Sequence, residues 1–413
     1  MTYKNKTLCK IRTITTFIAL DKDKSTWKGA IKKASEFCFN LTSKCNAQGY
    51  AVQSIRIVTN PFGEYLNTQN LASARADLSA LNALLNGASD SDMRVRFAIG
   101  EAKTKEEIAL LPELIKEFGD LCNVCVNVEL DKGGVLDNSL IQHCVKAVQR
   151  ISLITPRGEG NFNFTVNFNC DPLIPYFPAS FHRKELGNRF VIGLETPDLL
   201  VDVLKTCNLQ KAATGQQSHS ERFGTYYQAM SAALQHHISA INNIVEYEND
   251  DNSFAFSGFD SSAAPSKDCA SMTQLYTLMG VEYFGAAGTV EASALLTKVF
   301  KSIEGVKLVG FSGLMLALTE DTGLAEGSIK SQFDIRSLLT YSAVCGIGLD
   351  TVPIPGDTPA EKISALMRDT GTMAYRLNKP LTVRLFPVSG LKAGDLTAFE
   401  SDDLCNCAVL AVP

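Results

Sequence analysis

Arginine side chains recur inside strand-like segments of this 413-residue chain, at positions that would share one face of each strand. A guanidinium group is planar and binds carboxylates and phosphates through paired hydrogen bonds, so arginines in such positions indicate recognition of a small anion. Asparagines extend the same polar faces. The candidate substrate-binding residues are Arg12, Arg56, Arg94, Arg96, Asn167, Asn169 and Arg384.

Three further residues are candidates for the chemical step. His182 follows a loop with three prolines, and it is the histidine that best fits an acid–base or ligand role. Asp350, just inside a strand, is the second acid–base candidate. Cys345 is a possible nucleophile or radical carrier, and the alternative is a buried, inert thiol.

Evidence for a metal or cofactor is weak in this sequence. Glu320 and Asp321 form a paired carboxylate that could bind a cation, or a solvent-exposed turn. Cys122 and Cys125 lie in a strand-like segment, which places them on opposite faces and argues against a metal clip or a redox pair. No phosphate loop, dinucleotide fingerprint or catalytic-triad motif is present, so the cofactor is left unknown.

Ten strand-like segments, most of them separated by helical patterns, must position these residues. This alternation is typical of a largely parallel α/β sheet or barrel, and the absence of a linker favours one domain over residues 1–413. The predicted strands cover 11–20, 54–60, 94–100, 123–130, 161–170, 189–196, 253–259, 307–318, 348–355 and 381–388.

Several of these strands have one apolar and one polar face, whereas strands buried on both faces are usually apolar throughout. In the strand 161–170, phenylalanine, valine and cysteine alternate with asparagine and threonine. If helices cover the apolar side of a closed sheet, the polar side must line its lumen. That lumen is then either an internally paired polar core, with Glu129, Glu195 and Asp350 as partners, or a site for an anionic ligand.

Several short segments, taken together, form a set of motifs typical of a known family. They are Arg12–Thr15, Phe181–His182, Phe311–Gly313, Glu320–Asp321, Cys345–Asp350, Pro355–Glu361, Val383–Arg384 and Gly394–Asp395. Together they resemble the bacterial and archaeal domain of unknown function 711 family, also called uncharacterised protein family 0210. The resemblance implies a ten-stranded α/β barrel with helices outside, similar to pyruvate formate-lyase. It implies no particular activity.

The kinship with pyruvate formate-lyase raises the alternative of a glycyl-radical-type enzyme that uses Gly390 and Cys345. The segment Val388–Leu391 is only a partial likeness to the glycine loop of those enzymes. The tyrosine of their motif is absent, and Pro387 precedes the segment where they have arginine.

Composition limits the remaining function classes. The net charge of -5 argues against a nucleic-acid or anionic-membrane partner. We expect a cytoplasmic protein, because the chain shows neither a signal peptide nor a membrane span. The leading hypothesis is an enzyme or binder for an anionic carboxylate or phosphate metabolite in the lumen, with the reaction left open. A non-catalytic ligand sensor or assembly protein is the other alternative, and a homo-oligomer is plausible.

Overall fold

The computed structural model describes residues 2–88, 93, 95–214 and 218–413. Arg94 lies outside the described residues. Within these residues, the nine strands are β1 (Lys10–Ile18), β2 (Ile55–Thr59), β3 (Val95–Glu101), β4 (Asn123–Val128), β5 (Phe164–Phe168), β6 (Arg189–Glu195), β7 (Ala255–Asp260), β8 (Gly348–Pro355) and β9 (Leu381–Val388).

Helices follow most of the strands, as the alternating pattern predicts. In the described part of the chain they are α1 (Trp27–Ala47), α2 (Leu71–Asn86), α3 (Lys105–Phe118), α4 (Asn138–Ile154), α5 (Pro197–Thr214), α6 (His219–Asn243), α7 (Met272–Met279), α8 (Thr289–Phe300), α9 (Thr322–Ile329), α10 (Ile335–Tyr341) and α11 (Ala360–Arg376). None of the helices described is long and apolar enough to cross a membrane.

All nine strands belong to one sheet, in the order β7-β6-β1-β2-β3-β4-β5-β9-β8. Strands β1 to β5 are mutually parallel, and so are the pairs β6–β7 and β8–β9. The two contacts between these groups, β1–β6 and β5–β9, are antiparallel. The sheet is therefore mixed and mostly parallel, and nine of the ten predicted strands are confirmed.

The predicted strand 307–318 is the exception, because it pairs only at its two ends. Leu308 forms a single parallel bridge to Phe259 in β7, and Ala317 forms one to Asp350 in β8. The segment therefore touches both edge strands of the sheet. The assigned sheet itself stays open, so the expected barrel closure is not established by strand pairing.

A buried carboxylate explains why this segment is not a regular strand. Asp260, at the end of β7, accepts hydrogen bonds from the backbone N–H groups of Phe311 and Ser312 at 2.8 and 3.0 Å. Gly310 and Ser312 take the left-handed conformation, with φ of 63° and 38°. A backbone that turns around a side chain in this way cannot continue a ladder of strand hydrogen bonds.

The apolar faces predicted for the strands do pack against the helices. Residues from β3, β4, β5 and β9 join the main hydrophobic core; α4 contacts β4 and β9, and α11 contacts β5 and β9. Burial of this apolar surface is the main favourable contribution to folding. The residues of these strands that belong to the core are Val95, Phe97, Ile99, Val124, Val126, Val128, Phe164, Val166, Phe168, Leu381, Val383 and Leu385.

The opposite face of the sheet is divided into an apolar and a polar part. Phe17, Val58 and Ala98, late in β1, β2 and β3, form a separate apolar cluster with Leu173 and Val191. The arginines lie earlier in the same strands. The predicted polar face is thus correct for the first half of these strands, while the second half is filled by apolar side chains.

Candidate functional site

A pocket opens over the polar half of this face. Its free volume is about 60 Å³, which is room for a few water molecules or a small ligand. The arginine, aspartate and glutamate side chains that line it are Arg12, Arg56, Arg96, Asp120, Glu320, Asp350, Arg384 and Asp403. Four of the five predicted arginines thus meet here, although they are far apart in the sequence.

Strand register explains how the arginines meet. Arg56 and Arg96 are register partners on the parallel strands β2 and β3, so they share one face. Thr15 of β1 pairs with Arg56 on its other side. Like charges at directly opposed positions are unfavourable in a sheet, so this arrangement favours an anion between them.

Arg384, in the middle of β9, is paired with two carboxylates. Its Nε lies 2.7 Å from Asp350 Oδ1 and its Nη2 lies 3.0 Å from Asp350 Oδ2, in a two-point ion pair. The same Nη2 donates to Glu320 Oε1. Arg384 and Asp350 are 4 % and 3 % exposed. Arg384 is therefore occupied by protein carboxylates, which is the internally paired alternative that the sequence left open.

A bulge in β8 places Asp350 next to this arginine. The register between β8 and β9 shifts between Leu349 and Val352, and Thr351 takes a left-handed φ of 50°. The backbone of Asp350 and the Thr351 hydroxyl accept hydrogen bonds from the N–H groups of Leu318 and Thr319. These bonds hold the chain directly before Glu320 against β8.

Glu320 is the second carboxylate that contacts Arg384, so two negative charges face one positive charge. Burial raises the pKa of Glu320, the Arg384 guanidinium opposes that rise, and the neighbouring Asp350 carboxylate adds to it. Only one oxygen of Glu320 accepts a hydrogen bond within the described part of the chain. One guanidinium thus neutralises only one of the two carboxylates.

Arg12 is held at the side of the pocket by Glu195, the last residue of β6. The Arg12 Nη1 atom lies 3.6 Å from Glu195 Oε2. Glu195 also accepts hydrogen bonds from Lys10, Gln53 and Ser266. This buried carboxylate was considered as an arginine partner from the sequence, and the structure places it in that role.

Arg56 differs from the other pocket arginines because no described carboxylate pairs with it. It is 7 % exposed, its Nη1 donates to the backbone oxygen of Pro175 at 3.2 Å, and its Nε has no partner. Burial, together with the positive charges of Arg12 and Arg96, lowers the pKa of Arg56 to about 9. The side chain is still cationic at neutral pH, so a buried positive charge faces the pocket without an ion-pair partner among the described residues. Tyr176 and Glu320 oppose part of the fall in its pKa without pairing with it.

Two phenylalanine rings fix the planes of the buried guanidinium groups. Phe177 lies 4.8 Å from the Arg56 guanidinium carbon, and Phe162 lies 4.9 Å from that of Arg384. Such contacts contribute about 0.5–2 kcal/mol. Alternation assigned Phe162 to the helix-covered face, and this was wrong, because the residue precedes β5 and turns into the pocket.

Arg96 is the outermost of these arginines. Its side chain is 39 % exposed, and its Nη1 lies 3.5 Å from Asp403 in the C-terminal segment. An exposed ion pair of this length contributes little to the stability of the fold. Arg96 is therefore available to a ligand that enters from the rim.

The predicted catalytic residues other than Asp350 do not line this pocket. His182 is fully buried against Phe17, and neither ring nitrogen has a hydrogen-bond partner of good geometry among the described residues. Burial lowers the pKa of His182 to about 4, while the backbone of Gly187 opposes the shift slightly. Its role as an acid–base group in the pocket has no geometric support.

Cys345 is also buried away from the pocket. Its sulfur accepts a hydrogen bond from the N–H of Gly348 at 3.4 Å, and the thiol packs in the main core. The ammonium group of Lys379 donates to the carbonyl oxygens of Ser342, Ala343 and Cys345 and so holds this loop. This environment matches the inert-thiol alternative.

The register of β8 and β9 separates Cys345 from Gly390. Gly348 pairs with Thr382 and Pro355 pairs with Val388 in parallel. Cys345 precedes this paired stretch and Gly390 follows it, so the two residues lie at opposite ends of the strands. At about 3.3 Å per residue, the strands span more than 20 Å. The radical alternative needs these residues in contact, and the geometry does not provide it.

The remaining candidates have structural roles. Asn167 donates to Asn127 and to the carbonyl of Ala179, and Asn169 donates to Asn378. Neither asparagine lines the pocket. In their place, the sequence reasoning overlooked Asn123, Asn163 and Tyr176, of which the two asparagines continue the predicted polar faces.

The Glu320–Asp321 pair does not act as one unit. Asp321 caps α9 through the N–H groups of Gly323 and Leu324 and also binds Ser271 and Met272. Its carboxylate is thus directed away from that of Glu320. Within the described residues, no three His, Cys, Asp or Glu side chains form a group that could hold a metal ion.

The twelve cysteines all lie in the described part of the chain and form no disulfide. Cys122 belongs to the main core, whereas Cys125 points to the backbone oxygens of Gly100 and Ser180 on the other face. The predicted separation of this C-x-x-C pair on opposite faces is confirmed.

The fold and the site together define an α/β protein with a mixed sheet and a buried, arginine-lined pocket. Residues 3–400 match the family described as Uncharacterised ACR (DUF711). The chain belongs to this family, which confirms the resemblance seen in its sequence motifs.

Curated relatives of the chain carry the name UPF0210 protein. The one from Pyrobaculum arsenaticum is 25 % identical over 84 % of this chain and 76 % of its own length. The one from Thermoanaerobacter is 28 % identical over 70 % of this chain and 62 % of its own length. The one from Oleidesulfovibrio alaskensis is 25 % identical over 92 % and 84 %. The chain thus spans between three-fifths and five-sixths of these relatives.

Proposed function

We propose that this protein binds a small anionic metabolite, a carboxylate or a phosphate, at Arg56. The observation that carries the proposal is the buried Arg56 guanidinium, which faces the pocket with a free Nε–H and no carboxylate partner among the described residues. A buried charge of this kind is costly unless it is paired. A ligand anion would supply the missing partner.

The neighbouring arginines support the same reading. Arg12 and Arg96 contribute positive charge around Arg56, and Arg96 is accessible at the rim. Arg384 acts differently in this proposal. It orients Asp350 and Glu320, and these two carboxylates are the acid–base candidates if the bound anion is also converted.

Binding without turnover is the second candidate function, and one observation favours it. His182 and Cys345 lie outside the pocket, so its lining contains no nucleophilic thiol or imidazole among the described residues. A ligand sensor needs only the anion site. Incubation with a pool of small carboxylates and phosphates, followed by NMR, separates a sensor from an enzyme, because only an enzyme changes the pool.

We further propose that the chain forms a single α/β barrel of the pyruvate formate-lyase type in the cytoplasm. The bridges of segment 307–318 to both edge strands support barrel closure. The polar lumen side chains and the helix-covered outer face are the arrangement that such a barrel needs.

A thermal-shift screen with acetate, succinate and inorganic phosphate tests the anion site. At least one of them should raise the unfolding midpoint of the wild type and fail to do so in Arg56→Met. Arg150→Met is the matched control, because Arg150 is exposed on α4 and does not line the pocket. Equal responses of wild type and Arg56→Met would overturn the proposal.

A further inference from the structure

Two unmatched charges of opposite sign line the same pocket. Arg384 serves both Asp350 and Glu320, which leaves one negative charge in excess. Arg56 has no carboxylate partner among the described residues, which leaves one positive charge in excess. Opposite charges in a buried setting attract strongly and would ordinarily pair with each other. Here no ion pair joins Arg56 to Glu320.

Each of the two groups is held in place by its own surroundings. Pro175 and Phe177 hold the Arg56 guanidinium on β2. Arg384 holds Glu320, and the backbone just before it is bonded to the bulge of β8. Arg56 lies on β2, inside the sheet, whereas Glu320 follows a segment that is bonded to the edge strand β8. The free volume of about 60 Å³ lies in the pocket that both groups line.

Arg12 and Arg384 are already paired with protein carboxylates, Arg12 with Glu195 and Arg384 with Asp350 and Glu320. Arg96 lies at the exposed rim, where its contact with Asp403 is long. Inside the pocket, a ligand anion therefore binds at Arg56. A second anionic group directed inward would meet Glu320 and Asp350, which repel it.

We propose, building on the anion site of the proposed function, that the ligand is a small zwitterion. Its carboxylate binds Arg56, and its ammonium group binds the free oxygen of Glu320. A short amino acid matches this pattern of charges and the small free volume. The inference names a substrate class and leaves open whether the ligand is converted.

Matched pairs of ligands with and without the ammonium group test this inference. Calorimetry compares glycine with acetate, β-alanine with propionate, and 4-aminobutyrate with butyrate, all with the full chain. At least one amino compound should bind the wild type ten-fold or more tightly than its partner. Three lengths are used so that one spans the distance between Arg56 and Glu320.

Variants assign the two ends of the ligand. Glu320→Gln keeps an oxygen for the Arg384 hydrogen bond and should remove the preference for the amino compound, with the affinity for the plain carboxylate retained. If Glu320→Gln folds poorly, Glu320→Ser is the second variant, and it too should lose the preference for the amino compound. Glu326→Gln, on an exposed turn of α9, should behave as wild type. Arg56→Met should lose both members of each pair.

The outcomes separate this inference from the proposal on which it rests. Plain carboxylates that bind as tightly as the amino compounds, in an Arg56-dependent way, would overturn the zwitterion and leave the anion site standing. A preference for amino compounds that survives in Glu320→Gln would also overturn it. If neither class binds the wild type but inorganic phosphate does, the inference is wrong and the anion site stands. If inorganic phosphate does not bind either, both the inference and the anion site are wrong.

Discussion

Replacing Arg56 with methionine should make the ligand-free protein more stable, although a buried ionic side chain is removed. The charged form of Arg56 is penalised in the fold, where burial and the charges of Arg12 and Arg96 lower its pKa to about 9. This drop corresponds to at most about 5 kcal/mol. The variant also loses one hydrogen bond and one ring contact, each worth about 1 kcal/mol. The free energy of unfolding should therefore rise by about 1–3 kcal/mol.

Arg384→Met is the matched comparison, with the opposite expected sign. It leaves the buried Asp350 and Glu320 carboxylates without a counter-charge. Breaking a buried pair in this way costs about 3–5 kcal/mol. Both variants delete one guanidinium from the same pocket, so a general effect of charge or volume cannot produce opposite signs.

Urea denaturation at pH 7, followed by circular dichroism, measures both variants against the wild type. The midpoint should move to higher urea for Arg56→Met and to lower urea for Arg384→Met. A loss of more than about 1 kcal/mol in Arg56→Met would refute the reasoning, since Arg56 would then be a structural residue with a satisfied charge.

Three further predictions follow from the same structure. As pH falls from 6.5 to 4, the free energy of unfolding should fall further in the wild type than in His182→Leu, by at most about 3 kcal/mol. Burial lowers the pKa of His182 to about 4, so protons bind the unfolded chain preferentially. Urea titrations at several pH values measure this difference, and parallel pH curves for the two proteins would contradict it. Asp260→Ala should lower the free energy of unfolding by about 3 kcal/mol or more, because Asp260 accepts four hydrogen bonds from Ser262, Phe311 and Ser312. Thermal unfolding measures this loss. An unchanged midpoint would show that other contacts hold the segment 307–318. The affinity for acetate at Arg56 should fall about ten-fold per pH unit above pH 9, where the ligand-free guanidinium begins to lose its proton. Calorimetry between pH 7 and 10.5 measures this affinity. A constant affinity across that range would show that Arg56 does not hold the anion.

Much of the site follows from two-residue periodicity in the sequence. Strand alternation places Arg56 and Arg96 on one face and Val95 and Phe97 on the other, and the structure has the same division. Local patterning suffices here because strand geometry fixes the direction of each side chain.

Contacts between distant segments explain what the sequence could not predict. The segment 307–318 has the composition of a strand, but hydrogen bonds to Asp260 turn its backbone. Likewise, periodicity cannot distinguish Arg384, which has two carboxylate partners, from Arg56, which has no such partner among the described residues. This difference depends on the bulge at Thr351 and on the loop that carries Phe177, neither of which has a clear local signal.

A crystal structure of the protein soaked in sodium acetate tests the central claim most directly. The account predicts one acetate in the pocket, with an oxygen within hydrogen-bond distance of Arg56 Nε and with Arg384 still bound to Asp350 and Glu320. A structure in which Arg56 pairs with a carboxylate of the protein itself, and acetate is absent from the pocket, would contradict it.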